Sequence, residues 1–458
     1  MTKEEEMAEG RTRHDEPCEE GSLRQRFARG AYGLAATGLL AAASGPIFLY
    51  ARLSRRPVPG LTPGLSQRMG RYTEPLFTAS ARPRVWMHAV SVGEVRVAHA
   101  IFRELSALLP DLGLCVSTGT PAGNQLARSL FAGSARVVYA PLDIPPALRA
   151  SLSFSRPDVL VFTETELWPG WIWEAQRRGI PVVLANGRLS EKSLKSYLAF
   201  GALFRDVLSC VRVFSMSGAL DARRMARLSG MPERILINGN AKFDALALRA
   251  GGPGRDALRE RLGIPPERKV LVCGSTRSGE EQILLASFRK LREGFPGSLL
   301  VLAPRHLKRL PPVLEAVRDA GLSFVLWDQA TPESLGPADC LVVNTMGDLF
   351  SLYAAADLAF CGGSLVPKGG QNVLEPAVWS VPVLFGPHMD DFAESRDLLL
   401  AARGGFQVSC AESIVETALG LFSDPIALSA AGKNARSAVL SRRGAAARHA
   451  AVIAENFI

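Results

Sequence analysis

The chain has little cysteine and no cysteine pattern: seven residues, with no CxxC pair and no Cys/His spacing of the zinc-binding kind. That argues against a disulfide framework and against a structural zinc site. The odd count suits a reducing compartment. There is no GxxxxGK[ST] phosphate loop, no GxSxG elbow and no DxD-like acidic cluster at the end of an apolar run. Kinase, serine-hydrolase and metal-dependent nucleotide-sugar chemistries lose ground accordingly. Neither a metal nor a cofactor is expected. Nor is there an aromatic-and-basic RNA-binding motif, so nucleic acid is not an expected partner.

What is present is a globular composition: 47% hydrophobic and 21% charged over 458 residues, enough for two or three domains. The formal net charge is +9, unevenly placed. Residues 1–20 carry eight acids and three bases, whereas residues 21–83 carry nine arginines and one acid, Glu74. The basic excess surrounds one hydrophobic stretch, which points to an anionic membrane surface.

That stretch, Gly30 to Ala51, holds no charge and is dominated by Ala, Leu and Gly. It just reaches the length that spans a bilayer core, although Gly33, Gly38, Gly45 and Pro46 weaken it. A cleaved signal peptide fits less well, because the polar lead is long and arginines follow closely. A buried Ala-rich helix is the plain alternative. Arg24, Arg26 and Arg29 precede the run, and Arg52, Arg55, Arg56, Arg68 and Arg71 follow it. This asymmetry favours a carboxy-terminal body on the cytoplasmic side. The expected organisation is a polar tail over 1–29, an anchor helix over 30–52 and a basic membrane-proximal linker over 53–83.

From Arg84 onward, short apolar runs alternate with amphipathic stretches. Expected strands are Val85–Val90, Leu114–Thr118, Val137–Tyr139, Val159–Thr163, Val182–Ala185, Val211–Ser215 and Ile235–Asn238. Ala98–Leu109 and Gly170–Arg178 read as helices between them. The rhythm restarts at Lys269–Gly274 and continues through Leu299–Ala303, Phe324–Trp327, Cys340–Val343, Leu358–Cys361 and Pro382–Phe385. Such alternation implies βαβ units and parallel sheets. The fold class is therefore α/β, with two Rossmann-like domains over 84–245 and 257–458. Gly251-Gly252-Pro253-Gly254 marks an interdomain linker over 246–256. A helical segment, about Ile426–Phe457, closes the second domain. Ligands of such sheets bind at the carboxyl ends of strands, in this case facing a cleft.

Several motifs sit at those ends. Ser91-Val92-Gly93-Glu94 is either a capping box or a general base beside a glycine that lets substrate approach. Glu164-Thr165-Glu166-Leu167-Trp168-Pro169 sets two carboxylates after a strand. Thr118–Gly123 and Asn186-Gly187-Arg188-Leu189-Ser190 offer small polar groups. Lys242, in Asn240-Ala241-Lys242-Phe243-Asp244, could meet an anionic ligand. In the second half, Gly274–Glu281 joins strand to helix, where backbone N–H groups can hold phosphate; Ser278 with Glu281 also reads as a capping box. Arg305 follows a strand and can pair with phosphate. Gly362-Gly363-Ser364 and Gly369-Gly370-Gln371-Asn372-Val373-Leu374-Glu375-Pro376 combine close backbone approach with a carboxylate suited to ribose hydroxyls. His388 alone reads as structural.

The ordered series HAVSVGE at 88–94, ETELWP at 164–169, NGRLS at 186–190, NAKFD at 240–244, GSTRSGEE at 274–281, PRH at 304–306, NTMGDL at 344–349, GGSLVPKGGQNVLEP at 362–376 and FGPH at 385–388 resembles the 3-deoxy-D-manno-oct-2-ulosonic acid (Kdo) transferase family. GLSQRMGRY at 64–72 belongs to the resemblance, which covers roughly residues 30–400. It implies a GT-B glycosyltransferase anchored on the cytoplasmic face of a Gram-negative inner membrane, with CMP-Kdo as donor and lipid IVA as acceptor. By position it implies Glu94 as catalytic base, and Glu164 and Lys242 as transition-state stabilisers. It implies CMP contacts from Ser275, Thr276, Pro304, Arg305, Met346, Gly347, Asp348, Asn372, Val373, Leu374 and Glu375. The chain departs from the family at Arg277 and Gln371, where His is usual, and at Asp348, where Glu is usual. A sugar-nucleotide epimerase of the same fold, or a non-catalytic lipid-binding membrane protein, is the alternative reading.

Overall fold

A computed structural model describes residues 29–38, 64–252 and 254–456. The expected polar tail up to residue 28, the anchor beyond residue 38 and the linker up to residue 63 lie outside the described residues. Among the described residues no single helix is long and apolar enough to cross a membrane.

Two compact units divide the chain, one formed by residues up to Lys242 together with Gly444 onward, the other by Phe243–Arg443. The first holds seven strands: β1 (Arg84–His88), β2 (Gly113–Thr118), β3 (Arg136–Tyr139), β4 (Val159–Thr163), β5 (Val182–Gly187), β6 (Val213–Met216) and β7 (Ile235–Ile237). The second holds β8 (Val270–Thr276), β9 (Leu299–Pro304), β10 (Phe324–Leu326), β11 (Cys340–Val342), β12 (Leu358–Cys361), β13 (Val383–Phe385) and β14 (Gly405–Gln407). Every pairing is parallel. The sheet orders are β3-β2-β1-β4-β5-β6-β7 and β10-β11-β9-β8-β12-β13-β14. Each sheet therefore has a switch point, β1/β4 in the first and β8/β12 in the second, where chain connections leave in opposite directions.

The strands are continuous apolar runs because helices cover both sheet faces. In β8, Leu271 and Cys273 join one core with Phe288 and Phe360, while Val270 and Val272 join another with Leu341 and Tyr353. That is the period-2 alternation of a strand buried on both sides. In the first unit Trp86, Phe162 and Trp171 are buried in one core, Trp86 meeting Trp171 edge-on at 5.4 Å. Proline opens several intervening helices at a position whose N–H needs no partner, as at Pro121, Pro145 and Pro169.

Three expectations need correction. The closing helices do not both belong to the second domain. Pro425–Leu440 ends, Gly444 adopts φ +93°, and a separate helix Ala445–Glu455 packs on helix Val92–Leu108 and on β5 in the first unit. The interdomain boundary falls at Lys242/Phe243, and residues through Arg249 are helical, so the linker does not begin at 246. Finally, residues 64–83 are folded onto the first unit rather than laid out as a linker. Leu76 and Phe77 are buried in its core. Arg68, at 7% exposure, stacks on Tyr139 and donates to Gly119 O at 2.7 Å, so it is not the surface cation its composition suggested.

The first turns of the expected anchor, residues 29–38, are helical and fastened to this unit. Arg29 donates to both oxygens of Asp206 at 2.9 Å, and Tyr32 Oη donates to Asp143 at 2.7 Å. The Tyr32 ring meets Trp173 edge-on at 5.5 Å.

Candidate active site

Glu94 lies in the first turn of helix Val92–Leu108, directly after β1. Its Oε2 accepts the Val90 N–H at 2.8 Å, and its Oε1 accepts the Ser91 hydroxyl proton at 2.8 Å. The Ser91 side chain accepts no capping bond, so the expected capping box is not formed. The carboxylate is 9% exposed, and burial pushes its pKa up to about 7. The hydrogen bonds from Val90 and Ser91 oppose that rise, and the charges of Glu166 and Glu164 add to it. A carboxyl half-ionised near neutral pH is suited to proton transfer.

Glu164 follows β4, on the other side of the switch point. Its φ is +58°, a left-handed conformation that a non-glycine residue holds at a cost of about 1–3 kcal/mol. Lys242 Nζ lies 2.8 Å from its Oε1 and 3.1 Å from its Oε2. Glu166 accepts from Trp168 Nε1 at 2.6 Å, and burial raises its pKa, with the Glu164 charge adding. The structure thus brings Glu94, Glu164 and Lys242 to one end of one sheet. The other small loop of this end, Thr118–Gly123, is used structurally. Thr118 Oγ1 accepts from Asn124, and Thr120 caps the following helix by accepting the Gly123 N–H. In NGRLS, Ser190 caps a helix by accepting the Ser193 N–H, and Asn186 turns inward, as described below.

His88 is fully buried on β1. Ser117 Oγ accepts from Trp86 Nε1 at 2.9 Å and lies within hydrogen-bond distance, 2.9 Å, of His88 Nδ1. Burial drives the His88 pKa down to about 3, so the ring is neutral, and its Nε2 has no hydrogen-bond partner.

In the second unit the donor candidates end or follow four adjacent strands: Ser275 and Thr276 end β8, Pro304 ends β9 with Arg305 next, Met346, Gly347 and Asp348 follow β11, and Asn372, Val373, Leu374 and Glu375 follow β12. Arg305 and Met346 are exposed. Arg249 Nη1 approaches Glu375 Oε1 at 3.3 Å while its guanidinium lies 3.6 Å over the Phe350 ring. Asn372 Oδ1 accepts the Leu374 N–H at 3.1 Å, and Asp348 accepts from the Thr345 hydroxyl. The glycines are needed for close approach: a Cβ on Gly362 would stand 2.5 Å from Ser275 O.

The 274–281 loop differs from expectation. Of its N–H groups, that of Arg277 is taken by Glu280, which is fully buried and also accepts from the N–H groups of Gly363, Ser364 and Leu365, all at 2.7–3.0 Å. Thr276 is buried, and its hydroxyl is given to Glu281, which pairs with Arg309 at 2.6 Å. Ser278 does not cap the helix; Gly279, at φ +94°, occupies that position. Arg277, the departure from the family pattern, donates from Nη1 to His306 Nε2 at 2.6 Å. The acidic first turn, Glu280-Glu281, was visible in the sequence, but its backbone partners 83 to 85 residues away were not. No group of three His, Cys, Asp or Glu side chains placed to hold a metal ion occurs among the described residues.

Comparison with known proteins places this geometry. Residues 63–245 match the family described as 3-Deoxy-D-manno-octulosonic-acid transferase (kdotransferase). A 3-deoxy-D-manno-octulosonic acid transferase of Haemophilus influenzae is 32% identical over 359 residues, covering 78% of this chain and 82% of the relative. The chain belongs to the Kdo transferase family. A Chlamydia pneumoniae member is 32% identical over 338 residues, covering 73% of this chain and 76% of its own length. Among solved structures, the UDP-GlcNAc 2-epimerase of Neisseria meningitidis superimposes with TM-score 0.55 at 16% identity, covering 81% of this chain and 99% of that one. A Rickettsia africae glycosyltransferase does so with TM-score 0.53 at 11% identity, covering 84% and 99%. These two likenesses concern the fold, since an epimerase and a transferase share it equally.

Proposed function

We propose that this Kdo transferase moves Kdo from CMP-Kdo to a hydroxyl of lipid IVA by a single displacement with inversion. The observation that carries the reading is Glu94, a buried carboxyl poised near neutrality at the β1/β4 switch point, with the Glu164–Lys242 ion pair on the neighbouring strand end. The attacking sugar hydroxyl gives its proton to Glu94 as its oxygen bonds to the Kdo anomeric carbon. The bond to the CMP phosphate breaks, and its electron pair leaves with CMP. The positive charge that builds at the anomeric centre lies near Glu164, and Lys242 is available to the donor carboxylate or phosphate. Arg305 suits the CMP phosphate and Glu375 the ribose hydroxyls. In this reading the two sheets form the two lobes of a GT-B enzyme, with acceptor on the first and donor on the second.

The same reading sets the protein on the cytoplasmic face of the inner membrane, anchored through residues 30–52. The charge-free run and the arginines that flank it support this. An anchor raises the local concentration of an insoluble acceptor. The test is incubation of the purified full-length protein with lipid IVA and freshly generated CMP-Kdo. A Kdo-bearing lipid with release of CMP is expected. Conversion of the donor sugar without acceptor would indicate an epimerase, and lipid binding with no donor consumption would indicate a non-catalytic protein.

A further inference from the structure

The helix Ala445–Glu455 returns to the first unit after the whole of the second, and one of its side chains reaches the turn that presents Lys242. His449 is fully buried. Its Nδ1 lies 2.6 Å from Ser215 Oγ and 3.4 Å from the backbone N of Asn186, and its Nε2 lies 2.9 Å from Gly239 O. A carbonyl facing Nε2 requires a proton on that nitrogen, and an N–H facing Nδ1 requires a lone pair there. The ring is therefore the neutral Nε2–H tautomer: it donates to Gly239 O and accepts from Asn186 N and the Ser215 hydroxyl. Ser215 Oγ accepts in turn from Asn238 Nδ2 at 2.6 Å, and Arg448 Nε donates to Asn238 O at 2.8 Å.

Asn186 holds the same turn from the other side. It is fully buried, and its Oδ1 accepts the Ala241 N–H at 2.9 Å. Its φ is +52°, a strained conformation kept in place by its surroundings. Asn240 then accepts the Lys242 N–H at 3.0 Å. These contacts matter because Lys242 is a poor candidate for a fixed cation on its own. Its side chain is 39% exposed, and it opens a helix, where the backbone dipole disfavours positive charge. Half-exposed lysine pairs of this kind hold little energy unless their root is rigid.

We propose that His449 is a positioning residue for the transfer reaction: with Asn186 it locks the 238–241 turn, so that Lys242 stays on Glu164 and the carboxylates around Glu94 keep their compensating cation. The inference rests on the roles given above to Glu94, Glu164 and Lys242. The charged groups that bear on Glu94 are Glu164 and Glu166, and Lys242 faces Glu164.

The experiment measures kcat, KM for CMP-Kdo and the pH profile of kcat/KM on detergent-dispersed lipid IVA, using full-length H449A, H449Q, S215A, K242A, E94Q and the H449A/K242A double variant. In H449A, kcat should fall about tenfold or more with KM little changed, as expected when a reacting geometry loosens. Its acid limb should also move to higher pH, because an unpaired Glu164 makes ionisation of Glu94 harder. H449Q, whose amide nitrogen can take the place of Nε2, should recover most of both. K242A should move the limb in the same direction, and adding H449A to it should change little further. S215A removes the hydroxyl at Nδ1 while keeping the imidazole, and should show the limb shift with a smaller loss; it carries the test if H449A does not fold. A wild-type pH profile in H449A or S215A, alongside a shifted one in K242A, overturns the proposal. Wild-type turnover in both K242A and E94Q overturns the site assignment instead.

Discussion

Glu94→Gln separates chemistry from folding, because both respond to the same buried charge in opposite senses. Burial moves the Glu94 pKa from 4.5 to about 7. At about 1.36 kcal/mol per pH decade, the ionised form costs the folded state roughly 3 kcal/mol above neutrality. Between pH 4.5 and about 7 the folded chain keeps a proton that the unfolded chain has released. Stability therefore falls as pH rises through that window; the cost is complete above about 7 and absent below 4.5. Glutamine can keep both contacts, its oxygen accepting from Val90 N–H and its nitrogen donating to Ser91 Oγ. The charge assistance those bonds give the carboxylate is already contained in the net rise of the pKa. The variant should thus be more stable at pH 8 by about 3 kcal/mol, raising the melting midpoint by about 2–4 °C per kcal/mol, and gain nothing at pH 4. Its transfer rate should fall about 10²–10⁴-fold. In the wild type, kcat/KM should drop tenfold per pH unit below about 7, with an apparent value belonging jointly to Glu94, Glu164 and Glu166. Calorimetry at the two pH values and a transfer assay decide the matter. Turnover near wild type, or a stability change equal at pH 8 and pH 4, would refute the reasoning.

Three further outcomes are expected. Arg305→Ala and Glu375→Ala should each weaken CMP binding about tenfold or more by calorimetry, since a hydrogen bond to a charged group contributes about 1.5–3 kcal/mol; unchanged affinity in both would move the donor site elsewhere. Asp357→Asn should destabilise the second unit by about 3–5 kcal/mol in urea, because Asp357 accepts from Arg255, Arg259 and Val270 N–H and its loss leaves the buried Arg259 charge uncompensated; a midpoint equal to wild type would contradict this. Removing residues 1–56 should release the protein to the soluble fraction, lower transfer to lipid IVA in bilayers more than in detergent, and soften the first unit, since Asp206 and Asp143 lose Arg29 and Tyr32. Persistent tight membrane binding of that truncation would make the basic surface sufficient by itself.

The α/β architecture was legible because parallel strands buried on both faces write themselves as apolar runs. Thirteen runs read as strands correspond to β1 through β13. The fourteenth, Gly405-Phe406-Gln407, carries a single apolar residue in three and sits beside Phe385, so only its pairing with β13 defines it. The carboxylates at strand ends were legible for the same reason: strand ends are local, and so are Glu94 and Glu164. Arg68 misled because composition marks it as one more cation in a basic stretch. Its burial depends on Tyr139, and thus on β3 being in place.

The support of the candidate site was illegible for a stronger reason. Asn186 and Ala241 are 55 residues apart, and His449 and Gly239 are 210 apart. No periodicity or spacing rule reaches across such separations, and each residue alone reads as an ordinary polar side chain. The same holds for Glu280, whose place at a helix start is visible while the loop it holds lies more than 80 residues on. Candidate site groups can therefore be read from short motifs at strand ends, whereas the groups packed behind them are set by chain crossings. Lys242 belongs to both classes. Its motif is local, yet its position depends on a helix supplied by the last residues of the chain, which ties activity to correct docking of that helix on the first unit.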